Sequence, residues 1–146
     1  MKVLLIEMKK IVFVVLFSLI SFSLYAQNEK VDSVLRKWVA CFNKQDYQKA
    51  YDLYAPFYRD KVRLDIFTKN MKMVYGMMMG EIREIKFISF NGQYYKFILF
   101  AKSNQIEADV TLVVDSEYKF RYFNFDGIGG RGNPPPVAGN LRTTGS

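Results

Sequence analysis

The chain has 146 residues, with 21 lysines and arginines against 14 acids, one cysteine and no histidine. Without histidine there is no Ser-His-Asp triad, no Cys-His dyad and no histidine-bearing zinc site, and one cysteine cannot close an internal disulfide. The basic excess is dispersed, with acids among it in RLDIFTK and GEIREIK, which is a solvated surface rather than a nucleic-acid stripe.

Met8-Lys9-Lys10 followed by IVFVVLFSLISFSLYA has the basic start, apolar core and small-residue end of a secretory signal peptide. Cleavage is expected after Ala26, so residues 1–26 leave the mature protein and the product is periplasmic or extracellular. The rival is an uncleaved anchor, since these sixteen residues nearly reach the roughly 20 needed to span a bilayer. Residues 1–26 carry three basic residues and one acid, so the remainder is +5.

Three helices are predicted next. Val31, Val34, Leu35, Trp38, Val39 and Phe42 recur at helical spacing over residues 28–43, with Asn28 or Asp32 near the start. Cys41, on the flank of that face, reads as a small hydrophobe, because no histidine exists to activate it. The turn NKQD leads to a second helix capped by Asp46, which Pro56 should end or bend near Ala55. A third runs from Leu64 to Met78, burying Ile66, Phe67, Met71, Val74, Tyr75 and Met78, and Gly80 stops it.

After Gly80 the apolar period changes from 3.6 to 2 over residues 81–90, 93–102, 106–115 and 118–125. The separators Asn91-Gly92, Ser103-Asn104 and Asp115-Ser116-Glu117 are hairpin turns, so the sheet is an antiparallel four-stranded meander. A two-residue turn at Ser103-Asn104 pairs Ala101 with Ile106, Leu99 with Ala108, Phe97 with Val110 and Tyr95 with Leu112. All eight are apolar or aromatic, so this face packs under the helices. The opposite face mixes Ile98, Phe100 and Val113 with Lys96, Lys102, Glu107 and Asp109, and those three apolar residues are candidate partner contacts. In the last strand Phe120/Tyr122 and Phe123/Phe125 occupy both parities, and spacing does not choose between them. From Gly127 the composition turns to glycine and proline, so residues 127–146 read as a flexible tail or linker after a domain at 27–126.

No glycine-rich loop opens a helix, so neither a P-loop nor a dinucleotide fingerprint is present, and no cofactor or metal is expected. Glu81, Glu84, Asp109 and Asp126 could do acid/base work only if burial separated their pKa values, and the alternation of Glu107 and Asp109 with Ile106, Ala108 and Val110 points those two away from the core. Trp38, Tyr51, Tyr54, Tyr75 and Tyr95 are candidates for the wall of a ligand cavity, since tyrosine joins a large apolar body to one polar tip. A helical aromatic stripe is more often packed core, and the methionine-rich MKMVYGMMMG reads the same way.

The segment FNKQDYQKAYDL, the Gly80-Glu81-Ile82 entry to the sheet and the Asp115 to Lys119 turn, in this order, resemble the nuclear transport factor 2-like (cystatin-like, cone-shaped) superfamily. The resemblance covers residues 31–126, and is greatest to a secreted bacterial domain of unknown function found ahead of β-lactamase-related serine hydrolases. It implies an α+β fold, three N-terminal helices on a curved sheet with a cavity at one end. Catalytic relatives such as ketosteroid isomerase use an aspartate base with tyrosine and a protonated aspartate. No residue set here matches that arrangement, so no catalytic role carries over. In the hydrolase-linked group a Ser-x-x-Lys domain follows the linker, and RGNPPPVAGNLRTTGS differs from the junction expected there.

The leading expectation is an exported, non-catalytic module. It would bind a protein partner, a second copy included, through the outer sheet face, or a small apolar ligand in the cone. Nucleic acid is not expected as a partner, and membrane contact is expected only through the signal peptide. The alternatives are an accessory fragment of a serine hydrolase and an isomerase or lyase with its site in the cone.

Overall fold

The structure, a computed structural model, describes residues 2–103 and 105–130. The chain divides into two compact units, residues 1–33 and 34–146. Helix α1 is Lys2–Asn43. In its first unit Phe13, Val14, Phe17, Leu19 and Phe22 are all exposed, so apolar side chains cover every side rather than one stripe. Ser18, Ser21 and Ser23 donate their hydroxyls to the carbonyls of Val14, Phe17 and Leu19 at 2.8, 3.0 and 3.0 Å. This back-bonding satisfies the hydroxyls inside an apolar helix. The helix was expected to begin near Asn28 or Asp32, and it is instead already formed from Lys2. Among the described residues no helix is long and apolar enough to cross a membrane.

In the second unit, Leu35, Trp38, Val39 and Phe42 carry α1 into the core. The helix ends in a Schellman turn. Asp46 N–H donates to Cys41 C=O and Gln45 N–H to Phe42 C=O, both at 2.9 Å, with Gln45 at φ 55°. Asp46 then caps α2 (Tyr47–Asp52), its carboxylate accepting from Lys49 N–H at 3.2 Å.

Here the expected three helices become four. The second helix stops at Asp52, because the next peptide groups are taken by the last strand: Phe120 N–H donates to Leu53 C=O (3.0 Å) and Ala55 N–H to Phe120 C=O (2.8 Å). Pro56 does not bend a helix. It opens a new one, α3 (Pro56–Lys61), where its missing N–H would have had no helical acceptor. Helix α4 (Leu64–Met73) continues into a π-helical turn, Val74–Met79, which Gly80 closes at φ 66° by donating to Tyr75 C=O at 2.8 Å. The wider turn rotates the buried face. Phe67, Met71, Val74 and Met79 are buried, whereas Met78, expected inside, is exposed and Tyr75 is half-buried; Ile66, also expected inside, is exposed too, but it lies in α4 ahead of the wider turn.

Strands β1 (Ile82–Phe90), β2 (Tyr95–Ala101), β3 (Ile106–Val114) and β4 (Phe120–Gly130) form an antiparallel sheet in the order β1-β2-β3-β4. Tyr95 pairs with Leu112, Phe97 with Val110 and Leu99 with Ala108, as the alternation predicts, and all six are buried. Two bulges resolve the ambiguous last strand. Phe120 faces Val114 and Tyr122 faces Val113, leaving Arg121 as an extra residue; Phe125 faces Val110 and Gly127 faces Asp109, leaving Asp126 extra. Each extra residue resets the alternation, so Phe120, Phe123, Phe125 and Ile128 all lie on the inner face, with Tyr122 and Asn124 on the outer one. Pairing continues to Gly130 opposite Ile106, four residues past the expected domain end; the rest of the glycine- and proline-rich stretch, like Asn104 of the β2–β3 turn, lies outside the described residues.

Candidate functional site

Two surfaces carry the candidate residues: the aromatic interior and the outer face of the sheet. In the interior Trp38, fully buried on α1, donates its indole N–H to the Tyr54 hydroxyl at 3.1 Å. Its ring stacks on Phe42 and Phe123, with centroids 5.0 and 4.6 Å away. Tyr54 meets Tyr58, Phe67 and Phe120 at 4.4, 5.1 and 5.4 Å. Burial, then the neighbouring Tyr58, pushes the Tyr54 hydroxyl well above its ordinary pKa, opposed by the Trp38 hydrogen bond. Tyr51 donates to Val62 C=O at 2.6 Å, with Arg59 C=O at 3.2 Å, and its ring lies 5.3 Å from Phe67. Tyr75 meets Phe42 edge-on at 5.4 Å, while Tyr95 stacks on Phe90 at 4.2 Å.

The structure thus joins Trp38 and Tyr54 directly, reaches Tyr51 through Phe67 and Tyr75 through Phe42, and stacks Tyr95 on Phe90. These rings touch one another. Tyr47 was missed: it is 5% exposed, and its hydroxyl has no hydrogen-bond partner among the described residues. Burial and then Tyr75 raise its pKa. Its place in the run Tyr47, Tyr51, Tyr54 and Tyr58 was the available signal.

No Asp or Glu is buried among the described residues, where Thr111 is the buried polar residue. The interior therefore offers no desolvated carboxylate for proton abstraction. Glu81 pairs with Lys102 at 3.3 Å and Glu84 with Arg83 at 3.1 Å, both in solvent. No cluster of three metal-ligating side chains occurs among the described residues. Cys41 is half-buried, its thiol pKa raised by burial and then by Asp46, which is the direction opposite to activation.

On the outer face Ile98 lies between Lys86 and Asp109, Phe100 between Glu84 and Glu107, and Val113 beside Tyr122. All three candidates are half-buried. Arg83 reaches over Phe100, its guanidinium 5.7 Å from the ring centroid. Sequence reading missed Tyr94 and left the face of Tyr122 open; the two are 37% and 44% exposed, and their rings meet edge-on at 6.2 Å near Val113. It also missed a polar cluster, in which Asp126 accepts from the Thr111 hydroxyl and from the Asn124 amide (2.7 Å). Tyr122 could not be placed before the Arg121 bulge was known.

Comparison of the chain with protein-family models, with curated proteins and with solved structures finds no match.

Proposed function

We propose that this chain is an exported, non-catalytic binding or accessory module, periplasmic or extracellular, of the cone-shaped nuclear transport factor 2-like kind. Its docking surface is the outer sheet face, and its first partner is a second copy of the chain. The observation carrying this reading is the composition of the two sheet faces. The inner face buries Tyr95, Phe97, Leu99, Ala108, Val110 and Leu112, yet the outer face still presents Ile98, Phe100, Val113, Tyr94 and Tyr122. Aromatic and aliphatic residues grouped on a solvent-facing sheet are what a protein contact uses, with the surrounding charges as a polar rim. The aromatic interior fits core better than a ligand cavity, because its rings fill their space against each other.

Export is supported by residues 11–26, apolar on all sides and shorter than a membrane span. The cone shape is supported by helices preceding an antiparallel meander, and by bulges in β1 and β4, which bend strands.

Sedimentation velocity of residues 27–146 tests the reading. A concentration-dependent dimer is expected, and Phe100→Glu, which puts a charge at the centre of the face, should weaken it at least about tenfold. A wild-type monomer at about 0.1 mM, which an interface of roughly 10 μM affinity would not allow, sinks the self-association reading.

A further inference from the structure

A concavity lies where α3 begins beside the β3–β4 turn. Its volume is about 500 Å³, and Ala55, Pro56, Phe57, Val114, Ser116 and Arg121 line it together with Asp115. That is within the roughly 300–1,000 Å³ of small-molecule sites. We propose that this groove binds a small carboxylate with an apolar body, a site distinct from the sheet face.

Three features of the groove carry the assignment. First, Arg121 is the extra residue of the β4 bulge, and bulges re-aim side chains. Its position is fixed because Phe120, immediately before it, sits opposite Val114 on one side and, through its N–H and C=O, hydrogen-bonds to Leu53 and Ala55 on the other. Second, Phe57 is 50% exposed, with the Lys61 ammonium 4.0 Å and the Arg121 guanidinium 5.1 Å from its ring centroid. Neither cation forms an ion pair among the described residues. Two cations are therefore held over one ring with their hydrogen-bonding capacity unspent. Third, Asp115 brings one negative charge to the groove, though its Oδ1 is occupied in accepting from the N–H groups of Glu117 and Lys119.

Within the lining Arg121 and Asp115 balance, and Lys61, held against the Phe57 ring beside it, brings one further positive charge, which matches a carboxylate better than a phosphate dianion. The planar guanidinium fork suits a carboxylate bidentately, and the Ser116 hydroxyl stands at the same rim. Ala55, Pro56 and Val114 supply an apolar wall for the rest of the ligand. The ligand's charge then replaces water around two cations that Phe57 already positions.

Benzoate and its uncharged analogue benzamide are the probes. The 15N-labelled full chain, kept in solution by a zwitterionic micelle, is titrated with each and followed by amide chemical shifts. Benzoate should give saturable shifts at Phe57, Ser116 and Arg121, and benzamide should not. Arg121→Gln and Lys61→Gln, both at exposed positions, should each weaken benzoate binding about tenfold, the size expected for a charge-assisted hydrogen bond. No saturable benzoate shift, equal shifts from benzamide, or unchanged affinity in both variants overturns the proposal. None of these outcomes depends on whether the sheet face dimerises.

Discussion

At the scale of single residues, the Trp38–Tyr54 pair shows what this core requires. Two large side chains each bring one polar atom into the interior, and the Trp38 N–H donates to the Tyr54 oxygen at 3.1 Å. The Tyr54 hydroxyl is held neutral by burial, with its pKa raised well above the ordinary value near 10. The folded state therefore keeps a proton that the unfolded chain releases above about pH 10. This contribution is whole below that pH and is lost as pH rises toward the folded pKa, at up to about 1.4 kcal/mol per pH unit. Burial raises Tyr47 and Tyr58 in the same direction. Tyr54→Phe should therefore have two effects in chemical denaturation. At pH 7 it destabilises by about 1–3 kcal/mol, since the Trp38 N–H loses its acceptor. Above about pH 10 its stability should fall less steeply than that of the unmodified chain. Parallel slopes for the two proteins would show that Tyr54 ionises without unfolding.

At the scale of elements, the bulges decide which residues are core. In β4 the inner face takes Phe120, Phe123, Phe125 and Ile128, a spacing of three, two and three rather than an even two. Removing Arg121 would force Phe120 out or slip the strand by one residue, which reverses every side chain beyond it. Deletion of Arg121 is expected to cost at least about 3 kcal/mol, the loss typical of a buried phenylalanine, read as a drop in the urea midpoint. Arg121→Ala keeps the residue count and should stay within about 1 kcal/mol of the unmodified chain. An equal loss in both would place the effect in the side chain instead of the register.

The same contrast explains what was legible beforehand. The β2–β3 register follows from alternation, because Tyr95, Phe97 and Leu99 face one way without interruption. The second helix could not be bounded, because its end is set by hydrogen bonds to Phe120, over sixty residues later. The π-helical turn that turns Met79 inward instead of Met78 leaves no mark in the composition of VYGMMM. The interior candidates were found by residue type and helical spacing, but their mutual packing depends on Phe42, Phe67 and Phe123. Tyr94 escaped notice because it sits at a strand entrance, and Tyr122 could not be given a face because it sits beside a bulge.

At the scale of the whole molecule, a dispersed positive charge surrounds an apolar sheet face ringed by both signs. Lys86, Arg83 and Lys96 adjoin it, and so do Glu84, Glu107 and Asp109. Two copies of so mixed a rim gain little from long-range attraction, while each carries the same positive excess. Apolar burial must then supply the association proposed for Ile98, Phe100 and Val113, and the charges only repel at a distance. Salt discriminates between these contributions. The Debye length falls from about 10 Å at 0.1 M to about 3 Å at 1 M, which screens like-charged subunits but leaves apolar contact intact. Dimerisation measured by sedimentation should hold or strengthen between about 0.1 and 1 M sodium chloride. Weakening by tenfold or more over that range would mean that ion pairs of the rim, not the aromatic and aliphatic centre of the sheet, hold the subunits together.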